Sequence, residues 1–434
     1  MGSFAKTLSA FPLSGLLYRL SVKGYAALMH VAARVHPKAR QWVQGRKGLM
    51  HQLATQLGPL VQGRPVAWFH AASLGEFEQG RPVIEAFRRQ YPHYFIFVTF
   101  FSPSGYEVRK NYAQADYVSY LPIDTPAHAR QLVGLLKPRI AFFIKYEFWY
   151  YYLRELRAQG TAILSFSAIF RPGQLFFKSY GGFYRGLLRY FDQILVQNAE
   201  SEALLRGIGI AQVTQAGDTR FDRVKQIAEA ARDLPEIAAF VGENPCLVVG
   251  SAWEADRAVL APALNSLPAL RAVIAPHEIK EPDLQRWEQT LDGAVLRYSV
   301  YKAAGFDSSA FAAARYLLVD NIGMLSSLYR YGQIAYIGGA FGSGLHNILE
   351  AATFGLPVLF GNKRYQKFQE AVDLIGQGGA WALEDTLAVE QKLRELLDAP
   401  PAREAAGAVC RAYVHDHTGA TEAVMQRVKA YLEK

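Results

Sequence analysis

Residues 334–367 read IAYIGGAFGSGLHNILEAATFGLPVLFGNKRYQK, and the pattern of apolar runs and glycines in this stretch indicates the type of fold. An apolar run from Ile334 to Ile337 ends in two glycines, and a helical pattern follows from about Asn347 to Phe354. A second apolar run extends from Val358 to Phe360. The order of strand, glycine-rich loop, helix and strand predicts a βαβ unit, the building block of a parallel sheet.

The same stretch is a candidate binding site. Glycines allow a backbone to approach a ligand closely, and the start of a helix presents free N–H groups and the positive end of a dipole. His346, Asn347 and Glu350 lie at the predicted start of the helix. We therefore expect an anionic ligand at this loop, with a tight structural turn as the alternative.

Outside this stretch, the chain repeats the alternation of strands and helices. Apolar runs predict strands at 66–69, 94–99, 140–144, 162–166 and 193–196, and again at 246–250, 272–275, 316–319, 334–337 and 358–360. Residues 226–244, rich in Ala, Glu, Asp and Pro, separate the two series. Strands that alternate with helices imply parallel sheets covered on both faces. The sequence therefore predicts two doubly wound, Rossmann-like α/β domains.

Candidate site residues follow directly after many of these strands. They are Ser73, Gly75, Glu76, Lys145, Arg220, Ser251, His277, Gly323, His346 and Asn347. In open α/β sheets, ligands bind outside the carboxyl ends of the strands. We expect the two domains to present these residues across a cleft.

Composition narrows the class of protein and of partner. The chain has 434 residues, a net charge of +9 and 51% hydrophobic residues, which indicates a folded protein of two domains with an anionic partner. A membrane surface or a phosphorylated substrate fits this charge, whereas no arginine-rich tract or zinc-finger spacing favours nucleic acid. Cys246 and Cys410 lie far apart, which predicts no disulfide framework and fits a reducing compartment.

The segment from Phe4 to Val35 is predicted to form a basic amphipathic helix. At about 100° per residue, basic residues share one stripe, namely Arg19, Lys23, His30 and Arg34. Apolar residues lie on the far side, namely Leu17, Leu28, Val31 and Val35. Charges interrupt the roughly 20 apolar residues that a spanning helix needs. The pattern favours a helix in a membrane interface, with docking on the protein's own core as the alternative.

Short motifs occur along the chain in an order that resembles one known family. They are SLGE at 73–76, YEFW at 146–149, GDTRFD at 217–222, GSAWE at 250–254, Pro276, DNIG at 320–323 and HNILE at 346–350. Together they resemble the transferases of 3-deoxy-D-manno-octulosonic acid (Kdo) in lipopolysaccharide synthesis, over about residues 46–377.

The resemblance implies a fold, a reaction and a location. It implies a GT-B fold, in which two Rossmann-like domains face a cleft, and an inverting transfer of Kdo. The implied donor is CMP-Kdo, and the implied acceptor is a lipid A precursor (lipid IVA). It further implies no metal ion or other cofactor, and peripheral or monotopic attachment to the cytoplasmic face of the anionic inner membrane.

The resemblance also implies roles for individual residues. Glu76 matches the family's general base, and its position at a predicted helix N-terminus leads us to expect an ionised carboxylate. A capping role in the first helical turn is the alternative. Lys145 and Arg220 match positions assigned to the transition state. The donor-binding positions are Pro276, His277, Ile322, Gly323, Met324, Asn347, Ile348, Leu349 and Glu350.

Several of these positions depart from the family's usual residues. His277 stands at a usual Arg, Ile348 at a usual Pro, and Met324 at a usual acidic residue. Lys145 stands at a usual Glu and Arg220 at a usual Lys. We expect Lys145 and Arg220 to act as two cations toward the leaving phosphate or the donor carboxylate. The alternative for Lys145 is a strand-end lysine that points to solvent or pairs with Glu147.

Two other functions fit the same pattern. One is a GT-B glycosyltransferase that uses a UDP- or GDP-sugar, because ILEAATFGLPV at 348–358 fits that broader class. The other is a non-catalytic, membrane-bound sugar-nucleotide binder.

We also predict no metal site, since no His, Asp or Glu cluster has ligand spacing. The predicted segments are 1–44 for the membrane interface, 45–226 for the acceptor domain, 240–416 for the nucleotide-sugar domain and 417–434 for a C-terminal helix.

Overall fold

The computed structural model describes residues 12–306, 314–342 and 344–433. The chain divides into two compact units. The first comprises residues up to Arg223 together with those from Thr418 onward, and the second comprises Val224–His417. Each unit is built around a parallel sheet with helices between its strands, as the sequence predicts.

Within the described residues, the first unit holds seven parallel strands in the order β3-β2-β1-β4-β5-β6-β7. The strands are β1 Val66–Ala71, β2 Phe95–Phe100, β3 Tyr117–Tyr120, β4 Ile140–Ile144, β5 Ala162–Ala168, β6 Gln193–Val196 and β7 Val213–Gln215. The order reverses at β1, which pairs with β2 on one side and β4 on the other. This reversal brings the loops after β1 and β4 together at the carboxyl edge.

Three described helices of the first unit precede β1 and the others alternate with its strands, so that helices cover both faces of the sheet. They are α1 Pro12–Ala32, α2 Pro37–Gln44, α3 Leu49–Val61, α4 Leu74–Gln90, α5 Pro103–Arg109, α6 Pro126–Leu136, α7 Tyr150–Gln159, α8 Gly182–Leu188, α9 Ala199–Gly207 and α10 Thr219–Glu229. Strands β1, β2 and β4 are buried along their whole length, because side chains on both of their faces meet helices.

In the part of the second unit that the structure describes, seven parallel strands lie in the order β10-β11-β9-β8-β12-β13-β14. They are β8 Cys246–Ala252, β9 Arg271–Pro276, β10 Val295–Arg297, β11 Tyr316–Leu318, β12 Ile334–Ile337, β13 Val358–Gly361 and β14 Ala380–Leu383. The order reverses at β8, which pairs with β9 and β12. The loops after β8 and β12 therefore share one edge of the sheet.

The helices of the second unit alternate with its strands. They are α11 Pro235–Val241, α12 Glu254–Asn265, α13 Glu281–Thr290, α14 Tyr298–Ala303, α15 Leu325–Leu328, α16 Leu349–Ala352, α17 Gln369–Gln377, α18 Thr386–Asp398 and α19 Pro400–Asp416. The last helix, α20 Ala420–Leu432, returns to the first unit, where Val424 and Val428 join its buried core. Asp222 accepts hydrogen bonds from the main-chain N–H groups of Gly419 and Thr421 at the start of α20.

Helix α1 docks on the first unit through one face and exposes apolar side chains on another. The Tyr18 hydroxyl donates a hydrogen bond of 2.6 Å to the buried Asp124 carboxylate. Tyr25 packs edge-on against Trp42. Leu17, Leu20, Leu28 and Val31 remain 55–69% exposed. The described helix ends at Ala32, before the predicted end at Val35, and residues 4–11 lie outside the described part of the chain.

Hydropathy and length separate this helix from a membrane-spanning one. None of the described helices combines the length and the apolar character that crossing a membrane requires.

Candidate active site

Glu76 lies in the first turn of α4, directly after β1, at the carboxyl edge of the first sheet. Its Oε2 accepts hydrogen bonds from the main-chain N–H groups of Ala72 at 2.7 Å and Ser73 at 3.1 Å. The capping role that the sequence left as an alternative is therefore present. Gly75 is exposed, and a side chain there would meet open space.

The protonation of Glu76 differs from the prediction. Burial and the nearby Glu147 carboxylate raise the pKa of Glu76 from 4.5 to about 7. The hydrogen bonds from Ala72 and Ser73 and the Lys145 ammonium act in the opposite direction and are outweighed. The prediction that the helix dipole keeps this carboxyl fully ionised was wrong. Glu76 is instead a carboxyl that exchanges its proton near neutral pH.

Lys145 follows β4, beside the loop that contains Glu76. Its backbone has a φ of +69°, in the left-handed region that L side chains rarely adopt. Such strained residues persist where the surrounding structure holds them, and they cluster at functional sites. Burial and the neighbouring Arg220 lower the pKa of Lys145, while Asp218 and Glu76 raise it. Lys145 is partly buried and lies among charges of both signs.

Arg220 is fixed by Asp218, two residues earlier in the chain. The guanidinium Nε donates a hydrogen bond of 2.7 Å to Asp218 Oδ2, and the Arg220 main-chain N–H donates to Asp218 Oδ1. Gln79, on α4, donates a further hydrogen bond to Asp218 Oδ1. The structure thus brings Ser73, Glu76, Lys145 and Arg220 to one edge of the first unit. Asp218 and Gln79 are members of this cluster that the sequence did not single out.

The second unit contains a group of three stacked rings at the carboxyl ends of β8, β9 and β12. The His277 ring lies 3.9 Å from the Trp253 ring and 4.6 Å from the His346 ring, centroid to centroid. Trp253 Nε1 donates a hydrogen bond of 2.9 Å to His346 Nε2. Burial and the neighbouring His277 lower the pKa of His346 to about 4. The predicted residues His277 and His346 are therefore in contact, and Trp253 joins them.

The glycine loop after β12 is held by the fold itself. A Cβ on Gly338 would lie 2.3 Å from the carbonyl oxygen of Ser251, and Gly339 has a φ of +98°. Asp256 accepts hydrogen bonds from the main-chain N–H groups of Trp253 and Gly339. Ser251 itself has a φ of +55°. The glycine pair thus has a structural role, which is to allow close packing of the segment after β12 against the end of β8.

The helix predicted at Asn347–Phe354 is much shorter in the structure. Helix α16 comprises four residues, Leu349–Ala352, and Gly355 ends the following turn with a φ of +75°. Hydrogen bonds three residues apart, from Phe354 N–H to Ala351 and from Gly355 N–H to Ala352, tighten this turn and stop the helix. A single turn has a small dipole, so the expected attraction of an anion by this helix start is weak.

Side chains at the predicted donor positions differ in what they can reach. Met324, Ile348 and Leu349 are buried in the second unit, so only their main chains could contact a ligand. Ile322 is 86% exposed, after β11. Asn347 Nδ2 donates a hydrogen bond of 3.2 Å to Glu350 Oε1, which orients both side chains. Pro276 ends β9, and Gly323 adopts a φ of +87° in the loop after β11.

Within residues 12–306, 314–342 and 344–433, no three His, Cys, Asp or Glu side chains are gathered where they could hold a metal ion. Both cysteines, Cys246 and Cys410, are buried and unbridged.

Comparison with known protein families supports the resemblance seen in the motifs. A family model described as 3-Deoxy-D-manno-octulosonic-acid transferase (kdotransferase) matches residues 40–223. Relatives named 3-deoxy-D-manno-octulosonic acid transferase align along most of their length. The relative from Bordetella pertussis is 26% identical and covers 96% of this chain and 99% of its own. The relative from Chlamydophila psittaci is 26% identical over 86% of this chain and 87% of its own. The relative from Aquifex aeolicus is 24% identical over 76% of this chain and 85% of its own.

Solved structures share the architecture. The UDP-GlcNAc 2-epimerase from Neisseria meningitidis bound to UDP-GlcNAc superposes with a TM-score of 0.59 at 14% identity, over 84% of this chain and 99% of that one. The S. aureus MnaA–UDP structure superposes with a TM-score of 0.57 at 14% identity, over 85% of this chain and 97% of that one. These likenesses confirm the predicted GT-B type of fold. The sequence matches show that the chain is similar to the Kdo transferases, a family of glycosyltransferase enzymes, over 76–96% of its length.

Proposed function

We propose that this chain transfers Kdo from CMP-Kdo to a lipid A precursor, with inversion at the anomeric carbon. The observation that carries the proposal is the partly buried Glu76 carboxyl, whose pKa is raised to about 7, in a cluster with Lys145 and Arg220. A general base works best when its pKa lies near the operating pH. The names of the relatives support Kdo as the transferred sugar.

In the proposed step, the acceptor hydroxyl oxygen forms a bond to the anomeric carbon of Kdo as the bond from that carbon to the CMP phosphate breaks. Glu76 takes the hydroxyl proton, and CMP leaves with the bonding electron pair. Attack opposite the leaving group inverts the configuration. Lys145 and Arg220 supply positive charge toward the donor's carboxylate or the departing phosphate, where preorganised cations are most effective. The step requires no metal ion or other cofactor.

We assign CMP to the carboxyl edge of the second sheet. Three kinds of group converge there: the stacked rings of Trp253, His277 and His346, the main chain of the glycine loop, and the Asn347–Glu350 pair. Glu350 is suited to accept hydrogen bonds from ribose hydroxyls. A neutral imidazole can donate a hydrogen bond from its N–H group to a phosphate oxygen.

We further propose that α1 lies in the cytoplasmic surface of the inner membrane, as a peripheral or monotopic anchor. Its apolar face, with Leu17, Leu20, Leu28 and Val31, is exposed, and the basic residues Arg19 and Lys23 flank that face. This arrangement is typical of helices that bind anionic lipid surfaces. The docking of Tyr18 on Asp124 would hold the first unit at a fixed height above the lipid.

A cavity beside the charged cluster supports a lipid as the acceptor. It has a volume of about 640 Å³ and is lined by Tyr18 and Val22 of α1, by Phe148 and Phe176, and at its polar end by Glu147 and Arg171, among others. Aromatic walls with a few polar groups suit an amphiphile. Its apolar walls would accept hydrocarbon while the polar end receives the sugar.

The test is a transfer assay with purified protein, CMP-Kdo generated in situ and a tetra-acylated lipid A precursor, read by mass spectrometry. We expect a product heavier by one or more Kdo residues. Parallel reactions with UDP- and GDP-sugars test the rival glycosyltransferase. Binding of CMP without any product from these donors would instead support a non-catalytic sugar-nucleotide binder.

A further inference from the structure

His70 is a fully buried histidine whose two ring nitrogens both have polar neighbours. It lies in β1, and its side chain has no exposed surface. Nδ1 lies 2.9 Å from the Thr99 hydroxyl and 3.1 Å from the Thr99 carbonyl oxygen, and Nε2 lies 3.0 Å from Glu147 Oε2. A buried imidazole of this kind has one orientation, because rotating the ring would leave both nitrogens unpaired.

We assign the His70 hydrogen to Nε2, with the Thr99 hydroxyl donating to Nδ1, so that two donors meet on the same Glu147 oxygen. Besides His70, the indole Nε1 of Trp149 donates a hydrogen bond of 2.6 Å to Glu147 Oε2. The same indole nitrogen lies 3.0 Å from His70 Nε2, so the three side chains form a closed group. Glu147 is only 9% exposed, and this small exposed part faces the cavity beside the charged cluster.

Sheet topology brings this group next to Glu76. Strands β1 and β4 are neighbours, with His70 paired in register to Phe143. Glu76 follows β1 and Glu147 follows β4, so the two carboxyls share one edge. The groups that act electrostatically on Glu76 are Glu147 and Lys145, and Tyr146 also lies within range of it. Lys145 in turn lies near Asp218, Arg220 and Arg171.

We propose that His70 is a positioning residue of this site, which together with Trp149 fixes the Glu147 carboxylate beside Glu76 so that the negative charge of Glu147 favours proton uptake by Glu76. The inference rests on the proposed role of Glu76 as general base. Glu147 acts through its charge and keeps its hydrogen bonds throughout. The proton moves from the acceptor hydroxyl to Glu76.

The consequence is that removing the Glu147 charge makes Glu76 a weaker base. Glu147→Gln removes the charge and retains an oxygen that accepts from His70 and Trp149. His70→Ala removes one donor, and a buried carboxylate that loses a donor favours its neutral form. Both changes should therefore lower the pH at which Glu76 ionises. His70→Gln places an amide N–H near the position of Nε2 and should restore the wild-type behaviour.

The experiment follows the Glu76 carboxyl directly by ¹³C NMR titration of protein labelled at glutamate side chains, with its signal identified by its loss in Glu76→Gln. We expect the Glu76 midpoint to fall by on the order of one pH unit in Glu147→Gln and in His70→Ala. The acid limb of the rate profile should move in the same direction. Tyr152→Phe is the matched control, because it removes a buried hydrogen bond, to the Pro122 carbonyl, in the same core.

The outcomes separate this inference from the proposed reaction. A Glu76 midpoint unchanged in Glu147→Gln would overturn it, and so would a His70→Ala midpoint no different from that of Tyr152→Phe. The titration needs no substrate. Shifted midpoints in a protein that fails to transfer Kdo would support the positioning role and reject the reaction, whereas transfer with unshifted midpoints would do the reverse.

Discussion

Trp253 Nε1 donates a hydrogen bond of 2.9 Å to His346 Nε2, so the hydrogen of the neutral His346 ring lies on Nδ1. Burial and the neighbouring His277 lower the pKa of His346 to about 4, which keeps this ring neutral at physiological pH. Nδ1–H is then available as a hydrogen-bond donor to an anionic ligand.

This relationship predicts an NMR result. Nitrogen-15 spectra should show His346 as the Nδ1–H tautomer, with a titration midpoint near 4, well below the ordinary histidine value of 6.5. Trp253→Phe removes the indole donor and should allow the Nε2–H tautomer to appear. It should weaken CMP binding several-fold, about 1 kcal/mol for one hydrogen bond. An unchanged tautomer in Trp253→Phe would contradict the assigned geometry.

Glu76→Gln should abolish most turnover while CMP binding persists. Loss of a general base typically lowers the rate by about 10²–10⁴-fold. Because only the ionised carboxyl can accept the acceptor's proton, wild-type kcat/KM should rise with pH through about 7 and level off above it. Steady-state rates between pH 5.5 and 9 test this. Turnover of the variant within about threefold of wild type would remove Glu76 from the mechanism.

The raised pKa of Glu76 also predicts a stability effect of that variant. Between pH 4.5, the ordinary value for a glutamate, and about 7, the folded protein binds the proton more tightly than the unfolded chain does. Ionisation of Glu76 therefore lowers stability as pH rises through this window. The glutamine in Glu76→Gln does not ionise, so this variant avoids the loss of stability. We therefore expect it to lose activity without a fall in thermal midpoint at pH 8.

Central strands could be predicted from the sequence, but edge strands could not. All ten predicted strands are present, and the four that were missed, β3, β7, β10 and β14, are the edges of the two described sheets. A central strand is covered on both faces and appears as a continuous apolar run. An edge strand such as Val213–Gln215 has three residues and one pairing partner, so its side chains show no such run.

The sequence predicted which residues belong to the site but not the contacts that these residues make with each other. Glu76, Lys145, His277 and His346 follow strands, and the rule that ligands bind at strand ends locates such residues. Trp253 and His70 also lie at strand ends, but their contacts could not be predicted, because their partners are 93 and 77 residues away in sequence. The pKa of Glu76 likewise depends on burial and on Glu147, which no local pattern contains.

Charged substitutions on the exposed face of α1 should release the protein from membranes. Leu17→Glu combined with Leu28→Glu places carboxylates on the apolar face, and we expect flotation with anionic liposomes to be lost. Leu387→Glu is the matched control, because Leu387 is equally exposed in the second unit. Substitution is preferable to deletion of the helix, since Tyr18 and Tyr25 pack on the first unit. Unchanged flotation of the double variant would mean that another surface binds the lipid.

Activity should not depend on a divalent metal ion. In the proposed mechanism, Lys145, Arg220 and main-chain N–H groups stabilise the negative charge of the leaving phosphate, which a metal ion would otherwise do. We expect full activity after dialysis against excess EDTA. Loss of activity that added Mg²⁺ restores would refute the prediction.

Lys145 and Arg220 should each be required for the chemical step. Negative charge develops on the departing phosphate, and a preorganised cation in a site shielded from water contributes several kcal/mol to its stabilisation. Lys145→Ala and Arg220→Ala should therefore each lower kcat by at least about tenfold, with the fold retained. The guanidinium of Arg220 is oriented by Asp218, so Asp218→Asn should show a smaller loss. Lys110→Ala and Arg206→Ala, which remove surface cations paired with neighbouring glutamates, are the matched controls.

The decisive variant is Lys145→Glu, which introduces the residue that the Kdo transferases usually have at this position. In this chain it would add a carboxylate to a cluster that already holds Glu76 and Glu147, and repulsion between like charges would raise the pKa of Glu76 further. We therefore expect Lys145→Glu to be less active than wild type at pH 7 and to recover part of its rate at higher pH. Lys145→Met, which keeps the length of the side chain without its charge, separates the loss of the cation from the gain of an anion. If Lys145→Glu matched the wild-type rate at pH 7, the site would tolerate either charge and Lys145 would have no direct role.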